Sequence, residues 1–525
     1  MSSESSLRRA TRVIAGTELV PALLLAVLLS AVGCGGGGGG GDSGPTPTPA
    51  RPSPIPIFTP TPTVAVPTPT PTGGPIAGGP QVLLSEDQVI SGLEVSDIRE
   101  AALGPDLAIA VLVRVAGAQG AQAVLRRTED GTFESVFDPD SAPAGTDLTD
   151  LDNVRVATDG SVLFDAGDEI DTHRLYVARE GVAVALAGAS PGIVGDDFRI
   201  LGDADLGRGG EVGFIGGGDP CVEDDEGSTR CTVHLYVAPA TTAVEIEVED
   251  SVLTETSPRS PRAVVSDSGD VYFSLRGQGP EPAVIRVQGE DVETILAVNA
   301  ELDPVGQLIN PTLEGINGED QLLISTVLRE DEAPRPTLLG VLDVSGSDPS
   351  FTEVARERER EGDEIIRDLR PIGIDDRGAI LYLAVLGSDD PDDEETRLSL
   401  RLGDGTSTIE IATEGEQLPG SADFVISLTT PVFNRRGDAA FVAELGDIEQ
   451  TPSGPTVTVR ATQALVRTAD GTYTVRLPAV EPGEEGLLLE PQSLSGLDDE
   501  GLLLVLGNRQ EDNERLLIAV PPPAE

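Results

Sequence analysis

The sequence predicts an all-β fold, a closed β-propeller of about eight four-stranded blades with seven as the alternative, preceded by a disordered Gly/Thr/Pro-rich tether. Three observations predict it. A phrase built on a glycine and a closing aromatic or aliphatic residue recurs eight times from Asp106 onward. The runs that follow it read as short strands, several closed by Asp-Gly-Thr. The two ends of the array, finally, look like two parts of one unit. Copies fall roughly 50 to 65 residues apart, the period of supersecondary units that must stack to bury their apolar faces.

The fullest copy is Asn434-Arg-Arg-Gly437-Asp-Ala-Ala-Phe441. Shorter ones pair Gly160 with Phe164, Gly210 with Phe214, Gly269 with Phe273 and Gly378 with Tyr382, and another carries Gly501 before Leu502 to Val505. Two degenerate copies begin near Asp106 and Glu319. After each glycine comes an apolar run such as Val271 to Leu275, whose β-branched and aromatic content argues strand. A second run ends in Asp130-Gly131-Thr132, Asp404-Gly405-Thr406 or Asp470-Gly471-Thr472, read as type I′ hairpins because Asp-Gly accepts two positive φ values. A third strand follows, as at Ser407 to Ile411, and a polar stretch such as Glu414 to Gly420 returns the chain to the next glycine.

The last unit stops after Leu516 to Val520, and its missing half is expected at the other end, where Val82 to Gly92 resembles Glu410 to Gly420. Pairing the two ends closes the ring and removes exposed sheet edges.

The motif with Asn434, Gly437, Ala440 and Phe441 resembles that of the bacterial NxxGxxAF tandem-repeat ("choice-of-anchor") surface proteins, over roughly residues 80 to 520. In other copies mainly the glycine and the final aromatic survive, and Asp375 and Asp498 stand where the motif has Asn. The resemblance implies a propeller-like architecture and a surface location. It implies no enzymatic activity, so no catalytic residue is carried over.

The N-terminus predicts an address. Arg8, Arg9 and Arg12 precede a short apolar run, and Ala31-Val32-Gly33-Cys34 resembles a lipobox, giving a lipoprotein signal peptide over residues 1–33 and lipidation at Cys34. The run is too short for a span of about 20 residues. Residues 34–79 read as lipidated cysteine and linker: Gly35 to Gly41 is flexible, and Pro45 to Pro71 alternates Pro with Thr or Ser, favouring polyproline II at ~3.1 Å per residue. Residues 80–525 form the repeat domain, a monomeric head held by its lipid at the outer membrane or cell surface.

Composition restricts the partners. Ninety acidic residues against 35 basic ones give a net charge of −55, which repels nucleic acid. Trp is absent and aromatics are 3%; the recurrent Phe164, Phe214, Phe273, Tyr382 and Phe441 are assigned to the core rather than to a stacking platform for sugars or bases. His173 and His234 each precede a Leu-Tyr pair in neighbouring units, a repeated structural place with no second His at ligand spacing. Cys221 and Cys231 flank an acidic loop and in an exported chain read as a disulfide. Asp203 and Asp205, and the loop with Asp147, Asp150, Asp152 and Asn153, have the oxygen spacing that a structural Ca²⁺ uses, against the plainer reading of a solvated acidic turn; no other cofactor is expected. These readings converge on a surface lipoprotein displaying a propeller as an interaction or scaffold module for an unnamed protein or cell-envelope partner, and not on an enzyme. The alternative is an extracytoplasmic hydrolase or lyase working through carboxylates.

Overall fold

The computed structural model describes residues 79–523, apart from 118–119, 143–149, 168–173, 180, 188–197, 201–203, 219–221, 224–228, 239–241, 250–261, 275–281, 290, 298–300, 303–305, 329–335, 347–348, 363, 391–394, 452–453 and 481–487. The fold is all-β, in a β-propeller arrangement. Its strands form hydrogen-bonded antiparallel sheets, which in chain order cover residues 89–137, 151–187, 198–249, 263–297, 301–356, 360–413, 424–477 and 479–520. The first long strand of each sheet touches that of the next, and Leu488–Leu497 of the last returns to Leu93–Leu103 of the first.

Seven of these sheets share one plan of four long strands in up-and-down order, some with a two-residue strand added beside the inner one. The third departs from it. Its inner edge is divided into Phe198–Ile200 and Asp205–Leu206, both pairing with Val212–Gly218. The expected count of eight four-stranded blades is not supported: seven of the sheets are four-stranded blades, the alternative count, and this irregular sheet is not one of them.

The repeat was read one strand out of phase. The run after each motif glycine is the second strand, not the first: the inner strand lies in what looked like the return stretch, as Phe424–Phe433 does ahead of Asn434. Its pattern is broken by bulges, as between Val425 and Ser427, which hides the alternation by which a strand is recognised. The second strands lie in mid-sheet with neighbouring sheets on both faces. Ile380–Gly387 and Val162–Ala166 are accordingly buried along their whole length, and they read as continuous rather than alternating apolar runs.

Phe164, Phe214, Phe273, Tyr382 and Phe441 sit on these second strands at no more than 2% exposure. Phe164 stacks on Tyr176 with centroids 5.4 Å apart and meets Phe137 at 4.9 Å. They are core residues.

The Asp-Gly-Thr hairpins depart from the type I′ expectation. Gly131, Gly405 and Gly471 have positive φ, but Asp130, Asp404 and Asp470 do not. In two of them the fourth residue's N–H returns to the first residue's carbonyl, Gly131 to Thr128 and Gly471 to Thr468, and the strands resume one residue later; this is the three-residue hairpin with a left-handed glycine. The aspartate acts through its side chain instead. Asp130 Oδ1 accepts the hydroxyls of Thr128 and Thr132 and the Thr132 N–H, and these bonds hold its carboxyl down at about 2. Asp404, bonded by Thr406 and Ser407, is likewise held at about 2.

The two chain ends meet as expected. Gln81–Ser85 pairs antiparallel with Arg515–Val520, with Val82 opposite Ile518 and Ser85 opposite Leu516. Leu84, fully buried, packs with Leu504, Leu506 and Leu517, and Arg515 reaches Asp97 of the first sheet at 3.2 Å.

Candidate functional site

Each motif phrase is a five-residue turn joining an inner strand to the second strand of its sheet. The first residue donates its N–H to the fifth residue's carbonyl and accepts at its own carbonyl from the fourth; the pattern recurs at Ala157, Gly207, Ser266, Asp375, Asn434 and Asp498. The fourth residue is left-handed, with φ of 77° at Gly160, 91° at Gly437 and 85° at Gly501, and glycine recurs there because it alone enters that region without steric cost. Asp320 fills this place in the fifth sheet at φ 57°.

The first position explains why the motif opens on Asn. Asn434 Oδ1 accepts the Asp438 N–H at 2.8 Å, while Nδ2 donates to Asp498 O, in the turn of the next sheet, at 2.8 Å. Asn317 does the same toward Gln321 N–H and Asp375 O. Both are buried, and only a side chain that accepts and donates can serve both contacts.

Aspartate at this place keeps half of the function. Asp375 Oδ1 accepts two backbone N–H groups, yet burial raises its carboxyl above the ordinary range. Asp498 Oδ1 accepts Leu502 N–H, Oδ2 is shut from solvent with no partner, and burial first, then the charges of Glu500 and Asp499, pushes the carboxyl up to about 6. Folded chains therefore bind a proton that unfolded chains have released between pH 3.8 and about 6, so this group's contribution to stability falls as pH rises through that window and is least favourable above it. Asp498→Asn is expected to keep the acceptor, remove the charge and raise unfolding free energy by about 2 kcal/mol at pH 7, with the gain shrinking toward pH 4. Denaturant unfolding of both forms at the two pH values checks this.

The second position of the turns carries the charges that meet over the ring axis. Arg435 of the seventh sheet clasps Asp267 of the fourth with both terminal nitrogens, one at 2.9 Å. Arg208 of the third sheet reaches Asp267 at 3.5 Å and Asp499 of the eighth at 3.1 Å. Asp499 also accepts the Arg435 N–H, and Arg436 donates to its carbonyl at 2.6 Å. Asp376 of the sixth sheet accepts Gly318 N–H of the fifth at 2.9 Å. Sheets far apart in the ring order are thus tied at one mouth. Within the ring, Arg155 pairs with Asp205 and Arg262 with Glu314, each joining one inner strand to the next. Sequence reasoning missed the cluster. Its signal was charge in phase at the residue after the motif's first position: Arg208, Asp267, Asp376, Arg435 and Asp499.

The residues singled out from the sequence do not gather here. Cys34, Cys221, Asp203, Asp147 and His173 lie outside the described residues. Cys231 and His234 fall on the strand Thr229–Ala238, opposite Val248 and Glu245. Asp205 is committed to Arg155 and to the Val265 N–H at 3.0 Å, and Asn153 donates to Asp165 at 2.9 Å. Among the described residues no three His, Cys, Asp or Glu side chains are grouped as metal ligands would be.

Fold and turns together define a β-propeller protein. The chain belongs to a family described as a family of unknown function (DUF7453), whose model matches residues 183–475. No curated protein matches the sequence. Solved structures similar to it include prolyl oligopeptidase B from Galerina marginata, at 11% identity and a TM-score of 0.38 over 79% of this chain and 56% of that one. A puromycin-hydrolyzing peptidase of Mycobacterium tuberculosis is similar at 11% identity and 0.32, over 82% and 60%. AofleA from Arthrobotrys oligospora is similar at 10% and 0.27, over 63% and 94%. The chain spans little more than half the length of the Galerina enzyme.

Proposed function

We infer that this protein is a lipid-anchored surface protein of the NxxGxxAF repeat type, whose propeller is an interaction or scaffold module for a protein or cell-envelope partner. The observation that supports the module reading is the mutual neutralisation at the turn mouth. Arg208 and Arg435 are spent on Asp267 and Asp499, so these groups tie the ring together rather than standing ready for proton transfer. The tether and the lipobox-like Ala31-Val32-Gly33-Cys34 support the address. Because the thioether to lipid needs the Cys34 sulfur, Cys34→Ala is expected to move the head from the membrane fraction to the soluble fraction. Membrane association of that variant with an unlipidated N-terminus contradicts the anchor. Cross-linking on intact cells with wild type and Cys34→Ala then tests the module: a partner captured by the anchored form supports it.

One observation favours the carboxylate-enzyme alternative. Glu100, on an inner strand, is raised by burial and next by the charge of Asp152, the kind of perturbed carboxyl that general acids use.

A further inference from the structure

At the seam where the ring closes, a turn placed to donate to its neighbour carries a carboxylate instead. Asn317 Nδ2 donates to Asp375 O in the following sheet, and Asn434 Nδ2 to Asp498 O, each at 2.8 Å. After the eighth sheet comes the first, and the carbonyl in the same place there is that of Gly104. Its N–H goes to Ala108 O, the fifth residue of its turn, and Leu107, the fourth, is left-handed at φ 62°. The inner strands approach at this seam in the register used elsewhere in the ring. Two residues before Asp498, a Cβ built on Gly496 falls 2.6 Å from Leu103 Cβ; two residues before Asp375, one built on Gly373 falls 3.4 Å from Phe433 Cβ. Asp498 therefore stands to Gly104 as the first residue of the other turns stands to its successor.

As a carboxylate it cannot do what Asn434 and Asn317 do. Oδ1 takes the Leu502 N–H at 2.6 Å, and Oδ2, shut from solvent and without a partner, can only accept. No counter-charge is bonded to it among the described residues. Burial first, and then Glu500 and Asp499 of its own turn, raise its carboxyl. The first sheet's turn brings Asp106, and in the seventh Asp438 pairs with Asn434. Arg435 and Arg436 of the seventh sheet and Arg208 of the third bond to Asp499, not to Asp498. A proton from solvent turns Oδ2 into an O–H donor, the equivalent of an Asn Nδ2–H. Transient opening of the turn is enough to admit it. We propose that Asp498 is a proton-operated fastener of the ring: protonated, it donates from Oδ2 to Gly104 O and locks the eighth sheet to the first; deprotonated, it leaves that seam as the ring's readiest point of opening.

The test is hydrogen exchange in the full-length protein, read at the Gly104 and Leu502 amides and normalised to their intrinsic rates. The carboxyl releases its proton at about 6 in the closed turn and at 3.8 in water, so both amides are expected to open about tenfold more often at pH 8 than at pH 5. The Gly104 carbonyl carbon-13 resonance reports the bond itself and should move with a midpoint at about 6. Asp498→Asn, which carries acceptor and donor at every pH, is expected to hold both amides at the protection of the acid form. Equal protection of the wild type at the two pH values, or a tenfold change that persists in Asp498→Asn, overturns the fastener. A Gly104 carbonyl resonance that stays in place while Asp498 titrates overturns the bond.

Discussion

Removing residues 80–92 is expected to leave the chain expressed but self-associating. The deletion strips Gln81–Ser85 from the edge of Arg515–Val520 and takes Leu84 out of a cluster in which it is fully buried. A Leu side chain lost from such a place costs about 2 to 5 kcal/mol by itself. The bared strand, Arg-Leu-Leu-Ile-Ala-Val, is apolar over five of its six residues and offers unpaired N–H and C=O groups to another copy. Size-exclusion chromatography with light scattering reads the result: oligomers for this deletion, against a monomer for one that removes only Pro45 to Pro71. A monomeric, fully stable 80–92 deletion would show that the two ends do not close the ring.

Phe441→Ala carries the second large effect. Phe441 is fully buried among Leu428, Leu445 and Leu465, on the best-matched copy of the motif. Truncation leaves a cavity between the sixth and seventh sheets and is expected to cost about 3 to 5 kcal/mol. Chemical denaturation should show a lower midpoint with an unchanged slope. Phe441→Leu, which keeps most of the volume, should recover much of the loss.

How far the sequence could be read follows from what each residue does locally. Glycine at a left-handed φ and an aromatic in mid-sheet are required by backbone sterics and core volume, so Gly437 and Phe441 recur in phase and revealed the repeat. The match of the chain ends was legible for a related reason, since Val82 to Ser85 had to supply the edge that Leu516 to Val520 lacked. The inner strands were hidden by bulges such as that between Thr429 and Val432, which break the two-residue period. Asp-Gly pointed to the wrong turn because Asp130 and Asp470 act through side-chain bonds to flanking threonines, a pattern that shares its sequence with type I′. The turn mouth was the least legible part. Arg435 and Asp267 are 168 positions apart, and nothing local distinguishes a charge that crosses the axis from one that faces water.

An experimental density map of the head tests the central claim most directly, namely that the chain's ends close a ring whose motif turns meet over its axis. The account predicts Gln81–Ser85 hydrogen-bonded to Arg515–Val520 and the Arg435 guanidinium seated on Asp267 across the axis. An open array, with the N-terminal strand unpaired and Arg435 turned to solvent, would contradict it.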